Sequence, residues 1–256
     1  MLVAHRPPGR TAMILAAAIL FLFTAPPTAG AGGASVPQRA AVDGRAYDAY
    51  VPAATKEGLW DHFTCEFDAA WAILKTFGFD AGLDEQLALV GHDRSVEPYY
   101  VETPGGIEIH AGDIATAFSG DYRNNFLVRA SGPAMRPVFE RFGLAVEPVH
   151  DRTTVVRSLR RGQLVWIKAT VDFLPWIPAT WVTPTGERVP TVLGNDHAVV
   201  VMGYNQDGVL VRDVLGPTSS DWQRPYRYHV DWERFLNVWE AQGFDGLAVG
   251  PSQDGQ

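Results

Sequence analysis

The stretch His197-Ala-Val-Val-Val-Met-Gly-Tyr204, followed by Gly208-Val-Leu-Val-Arg-Asp213, decides how this chain of 256 residues is read. Its apolar run, flanked by glycine, has the pattern of a central strand buried on both faces. Val209 and Val211 alternate in the next segment, marking a second strand. The intervening Asn205-Gln206-Asp207-Gly208 reads as a type I turn with Gly208 in the left-handed position, so residues 197–203 and 208–214 form a hairpin. His197 stands at the mouth of one strand and Asp213 at the end of the other. A carboxylate among valines is costly unless it is paired, and an imidazole N–H on the neighbouring strand is its natural partner. With a bulge at Gly208, Asn205 opposes Val209, and His197 and Asp213 share a face. They then stand four residues apart, about 13 Å. Strong twist, a second bulge or a different register must close that gap.

Upstream, Gln163 to Thr170 is strand-like, with Val165, Ile167 and Ala169 on one face. Residues 172–194 are rich in proline and carry Trp176 and Trp181, and are read as a long ordered surface loop. Downstream, Tyr226 to Val230 is a strand, Asp231 caps a helix whose Trp232, Phe235, Leu236 and Trp239 face inward, and Phe244 to Val249 is a last strand. The first half is helical. Thr64 caps a helix with Phe67, Ala70, Trp71, Leu74 and Phe77 at helical spacing, ended by Gly78. Further helices are expected over 84–90, 112–118, 133–142 and 153–161, the last two closed by Gly143 and Gly162. Residues 32–48 are small and polar and read as a flexible lead-in. Helices first and antiparallel strands second define an α+β class.

Cys65 is the only cysteine of the chain, and it opens the first helix. A lone thiol is either a buried inert group or one kept for chemistry. The exposed N–H groups of a helix start lower a thiol's pKa, whereas Glu66 and Asp68 push the other way, so an imidazolium beside the sulfur is needed to hold a thiolate. Cys65, His197 and Asp213 together are the parts of a cysteine-nucleophile acyl-transfer site.

Residues 1–31 have the pattern of an export signal: Arg6 and Arg10, the apolar run Ala12 to Phe23, and the small residues Ala29-Gly30-Ala31. An uncleaved membrane anchor is the rival reading of the same pattern. Setting these residues aside removes two arginines and no acid, which takes the net charge from −8 to −10. That balance argues against nucleic acid and anionic membranes as partners. About 225 residues remain, enough for one domain with a sizeable core, taken as 49–251. His62 and Cys65 are three apart and could chelate a metal with His110, His150 or His229, but nothing else supplies tight ligand spacing. No metal or cofactor is expected, and a monomer is.

Cys65-Glu66 at a helix start, the stretch Trp181-Val-Thr-Pro-Thr-Gly-Glu-Arg-Val-Pro190, the His197 to Tyr204 block, Val211-Arg-Asp213 and the ending Tyr228-His-Val-Asp-Trp-Glu-Arg-Phe235 together resemble the C39-like (papain-like) cysteine peptidase family. The resemblance extends thinly from Val51 to Val249. It implies a papain-like α+β fold, N-terminal helices on a C-terminal antiparallel sheet, with Cys65 as nucleophile, His197 as base and Asp213 as orienter, acting on a peptide or protein; the export signal places that action outside the cell or at its surface. Members usually carry a Gln before the Cys, after a Val-Pro, as an oxyanion donor. Here Val51-Pro52 is present and the Gln is not. Lys56 and His62 are the substitute donors in that interval, and Trp176 and Trp181 are candidates to flank a substrate groove. Three rivals remain: a binding module without catalysis, a transferase or amidase that passes the acyl group to an amine, and a cell-surface interaction protein held by an uncleaved anchor.

Overall fold

The structure is a computed structural model that describes residues 38–219 and 221–252. The expected export segment, 1–31, lies outside these residues. Five helices and a large antiparallel sheet make a mixed α and β architecture. In chain order the strands are β1 (Gln38–Val42), β2 (Arg45–Tyr50), β3 (His92–Asp93), β4 (Tyr99–Thr103), β5 (Gly106–His110), β6 (Phe118–Ser119), β7 (Leu144–Pro148), β8 (Leu164–Thr170), β9 (Ile177–Val182), β10 (Arg188–Leu193), β11 (Asp196–Tyr204), β12 (Gly208–Arg212), β13 (Arg227–Asp231) and β14 (Gly246–Pro251). The helices are α1 (Cys65–Thr76), α2 (Leu83–Val90), α3 (Gly132–Glu140), α4 (Arg152–Arg160) and α5 (Trp232–Ala241).

The main sheet runs β1-β2-β11-β8-β14-β7, with β12 on β11 and β13 on β12. Its central strands are buried on both faces, which is why they read as apolar runs. Ala198, Val200 and Met202 of β11 and Trp166 of β8 face one cluster with Phe67, Ile73 and Leu74 of α1 and Met135 and Phe139 of α3. Val199, Val201, Val165 and Ile167 face the opposite cluster with Val155 and Leu159 of α4 and Phe235 and Trp239 of α5.

Several expectations are corrected. The lead-in at 32–48 holds two strands from Gln38 onward, because Tyr47 and Ala49 alternate into the core and the Tyr47 hydroxyl meets His229 Nδ1 at 3.1 Å. The sheet therefore begins before residue 49. The loop expected over 172–194 holds β9 and β10, which join β5 and β4 in a second sheet, ordered β10-β9-β5-β4. Its prolines fit that sheet: Pro190 lies on the edge strand β10, and Pro178 precedes the part of β9 that pairs with β5. Residues 112–118 are not helical; Asp113 turns the chain by accepting Ala115 N–H at 2.9 Å, and Phe118 enters β6. Thr64 starts α1 without capping it through its side chain, since its hydroxyl donates to Asp68 Oδ2 at 2.6 Å instead. Trp71 is only half-buried, its indole N–H donating to Asp80 at 2.8 Å.

The hairpin register closes the gap that the sequence left open. Tyr204, not Asn205, opposes Val209, and a bulge at Met202 shifts the pairing once more, so that Val201 faces Val211 and Val200 faces Arg212. Continuing that pairing by one residue sets Val199 opposite Asp213. Each shift removes one residue of the separation. His197 then stands two residues from Asp213's opposite number, about 7 Å along the strand, within side-chain reach.

Gly208 is not in the left-handed region. It is glycine because β13 passes too close: a Cβ there would overlap the Val230 carbonyl oxygen and lie 2.8 Å from the Asp231 Cα. Gly208→Ala is therefore expected to lower stability by about 2–3 kcal/mol, since neither backbone contact can yield without moving β12. A urea midpoint equal to that of the wild type contradicts this.

Candidate active site

Three elements deliver the site. α1 begins at Cys65, β11 carries His197 near its start, and β12 ends just before Asp213. All three residues are buried, at 7, 1 and 0% exposure. His197 Nε2 and Asp213 Oδ1 are 2.8 Å apart. A carboxylate only accepts, so Nε2 carries the proton and Nδ1 is left for other work. Cys65 and His197 line one cavity of about 210 Å³, together with Leu59, His62, Phe63 and Asn195.

Asp213 is held from four directions. Besides His197, it accepts from Arg224 Nη1 at 2.7 Å, the Tyr228 hydroxyl at 3.0 Å and the Leu215 N–H at 2.9 Å. Arg224 in turn pairs with Asp172 at 2.6 Å. Burial by itself would raise the Asp213 carboxyl, but the facing His197 and Arg224 outweigh it and hold the group well below the ordinary carboxylate value.

The surroundings of the thiol are different. Cys65 Sγ donates to Glu66 Oε2 at 3.3 Å, and Lys168 Nζ lies 2.6 Å from Glu66 Oε1 and 2.7 Å from Asp196 Oδ2. Asp196 also accepts from Gln242 at 2.6 Å. Burial, then the Glu66 charge, pushes the thiol well above its usual range, and Lys168 offsets this only in part. Lys168 itself is raised: burial disfavours its charge, but Asp196 and Glu66 overcome that.

The remaining candidates divide. His62 lines the cavity; it is largely exposed, and its Nδ1 donates to the Arg123 carbonyl at 2.9 Å, which leaves Nε2. Lys56 does not line it, being tied to Asp68 at 2.8 Å and the Gly58 carbonyl at 2.7 Å. Trp181 is wholly buried, its indole N–H on the Gly112 carbonyl at 2.9 Å, and flanks no groove there. Trp176 lines a separate depression with Phe173, Pro175 and Arg234. Two cavities larger than that of Cys65, about 670 Å³ beside Trp176 and about 400 Å³ beside Arg129 and Asp245, contain neither Cys65 nor His197. Among the described residues no three His, Cys, Asp or Glu side chains gather as a metal site, and no helix is long and apolar enough to cross a membrane.

Sequence reasoning missed Lys168, Asp196, Arg224 and Tyr228. Lys168 left a signal, one charge inside the apolar segment Leu164-Val-Trp-Ile-Lys-Ala-Thr170, which requires a buried partner. The other three left none.

No protein-family model matches the chain, and no curated protein matches it. Its fold is similar to the crystal structure of a Bacillus anthracis protein described as a candidate C39-like peptidase. The TM-score is 0.59 and 18% of residues are identical, over 79% of this chain and 95% of the other. At that identity the likeness is one of fold.

The Asp213 contacts have a consequence for stability against pH. The unfolded carboxyl titrates near 3.9 and the folded one lower, so its ionisation stabilises the fold above about pH 4 and that contribution drains away as pH falls further. Asp213→Asn is expected to lower the urea midpoint at pH 7, with the deficit narrowing as the pH drops from about 4 to about 2. A deficit independent of pH contradicts the assignment.

Proposed function

We propose that this protein is an exported cysteine peptidase of the C39-like, papain-like kind, hydrolysing peptide amide bonds through Cys65, His197 and Asp213. One observation carries the reading: the buried 2.8 Å bond from His197 to Asp213, at the wall of the cavity that also holds Cys65. The resemblance in fold to a candidate C39-like peptidase supports it. Export through residues 1–31 belongs to the same proposal and rests on the sequence pattern alone.

The chemistry follows from the contacts. With Nε2–H donated to Asp213, His197 takes the Cys65 proton at Nδ1 as the sulfur bonds to the substrate carbonyl carbon. The oxygen that becomes negative meets the backbone N–H of Cys65, which as the first helical residue has no carbonyl one turn behind it. With its Nδ1–H on the Arg123 carbonyl, His62, on the same cavity, serves as the side-chain donor in place of the family's Gln only as an imidazolium, through Nε2–H. The imidazolium returns its proton to the leaving amine as the C–N bond breaks. Water, deprotonated by His197, then cleaves the thioester and restores the thiol. Asp213 orients the ring throughout.

One observation favours a second reading, a binding module on the same fold: the Cys65 proton points to Glu66, and burial raises the thiol. A mixed-sequence peptide library, read by mass spectrometry, separates the two. Cleavage by the wild type that is abolished in Cys65→Ala and falls at least about a hundredfold in His197→Ala is the expected result. No cleavage, or cleavage that survives Cys65→Ala, overturns the peptidase reading.

A further inference from the structure

The group that touches the thiol is Glu66, not the imidazole. Its carboxylate bridges two partners, taking the Cys65 S–H on Oε2 at 3.3 Å and the Lys168 ammonium on Oε1 at 2.6 Å. Glu66 and Lys168 are 1 and 3% exposed. Glu66 is therefore fixed by a buried ion pair with Lys168. From these contacts we propose that Glu66 is a positioning residue for the nucleophile: clamped by Lys168, it holds Cys65 as a neutral, hydrogen-bonded thiol at rest. Attack then requires the S–H to leave Glu66 for His197 Nδ1. The site works by general base and not through a preformed thiolate–imidazolium pair.

The titratable groups around Cys65 come from four segments. α1 supplies Glu66, β8 supplies Lys168, β11 supplies Asp196 and His197, and the segment before α1 supplies His62 at the cavity mouth. Arg129 stands behind Asp196 at 4.0 Å. Glu66 is the acid in contact with the sulfur, so its charge is the one whose removal acts most directly on the thiol. Glu66→Gln removes the acid in contact with the sulfur and leaves Lys168 opposed by Asp196 alone, and a thiolate becomes easier to form. Glutamine matches glutamate in shape, and the 3.1 Å bond from the Trp166 indole to the Glu66 backbone carbonyl does not involve the side chain.

The inference rests on the nucleophile reading for its functional meaning, but its test needs no turnover. In the folded full chain, the rate of Cys65 alkylation by iodoacetamide is followed against pH. The expected result is a wild-type midpoint above the free-thiol value of about 8.5 and an Glu66→Gln midpoint at least about one pH unit lower, which is about tenfold faster alkylation at pH 7. A midpoint unchanged or raised in Glu66→Gln overturns the proposal. Should that variant fail to fold, the wild type alone decides it. With a single cysteine, its S–H stretching band in the Raman spectrum at pH 7 belongs to Cys65, and its presence, shifted by a carboxylate acceptor, is expected. Absence of the band at that pH overturns the proposal. A peptidase that fails the library test while showing this band and this shift loses the catalytic reading and keeps the role of Glu66.

Discussion

The Lys168 ammonium is the interaction on which the site depends. It lies inside β8, a strand buried along its whole length, and reaches Glu66 of α1 and Asp196 of β11 at 2.6 and 2.7 Å. Removing one partner of such a buried pair typically costs about 3–5 kcal/mol, because the other charge is left without compensation. Glu66 follows Cys65 and Asp196 precedes His197. One cation thus fixes the immediate neighbours of both Cys65 and His197, and with them the approach of the first helix to the central strand. The Trp166 indole, from the same strand, adds a bond to the first turn of α1.

At the other end, the constraint is register. The bulge at Met202 and the close pass of β13 over Gly208 set β12 so that Asp213 falls within reach of His197. Arg224, Tyr228 and the Leu215 N–H then leave the carboxylate little freedom to turn. The imidazole is held by a rigid acid on one side, and the thiol by a rigid acid on the other. In the proposed reaction one proton moves from that thiol to that imidazole.

Much of this was legible in the sequence, for physical reasons. A strand buried on both faces must be continuously apolar, so β11 announced itself; β8 and β12 followed from alternating apolar residues, and the helices from their spacing and terminal glycines, although 112–118, read as a helix, is not one. Cys65, His197 and Asp213 stood out because each was chemically out of place in its segment. What lay hidden was long-range. Lys168 asks for partners that are 102 and 28 residues away in sequence, and nothing local names them. The hairpin of β9 and β10 was concealed by its prolines, which are harmless at the positions they occupy. Trp181 read as a groove residue, yet a large apolar ring with one donor is satisfied deep in a core once that donor finds a carbonyl.

The central claim is that Cys65 carries an acyl group between attack and hydrolysis. p-Nitrophenyl acetate, an activated ester that asks for no substrate specificity, tests it by rapid quenching and intact-mass measurement. The account predicts a burst of nitrophenolate matching the amount of protein, with one acetyl group on Cys65, slowed in His197→Ala and absent in Cys65→Ala. No burst, or one that persists without Cys65, contradicts it.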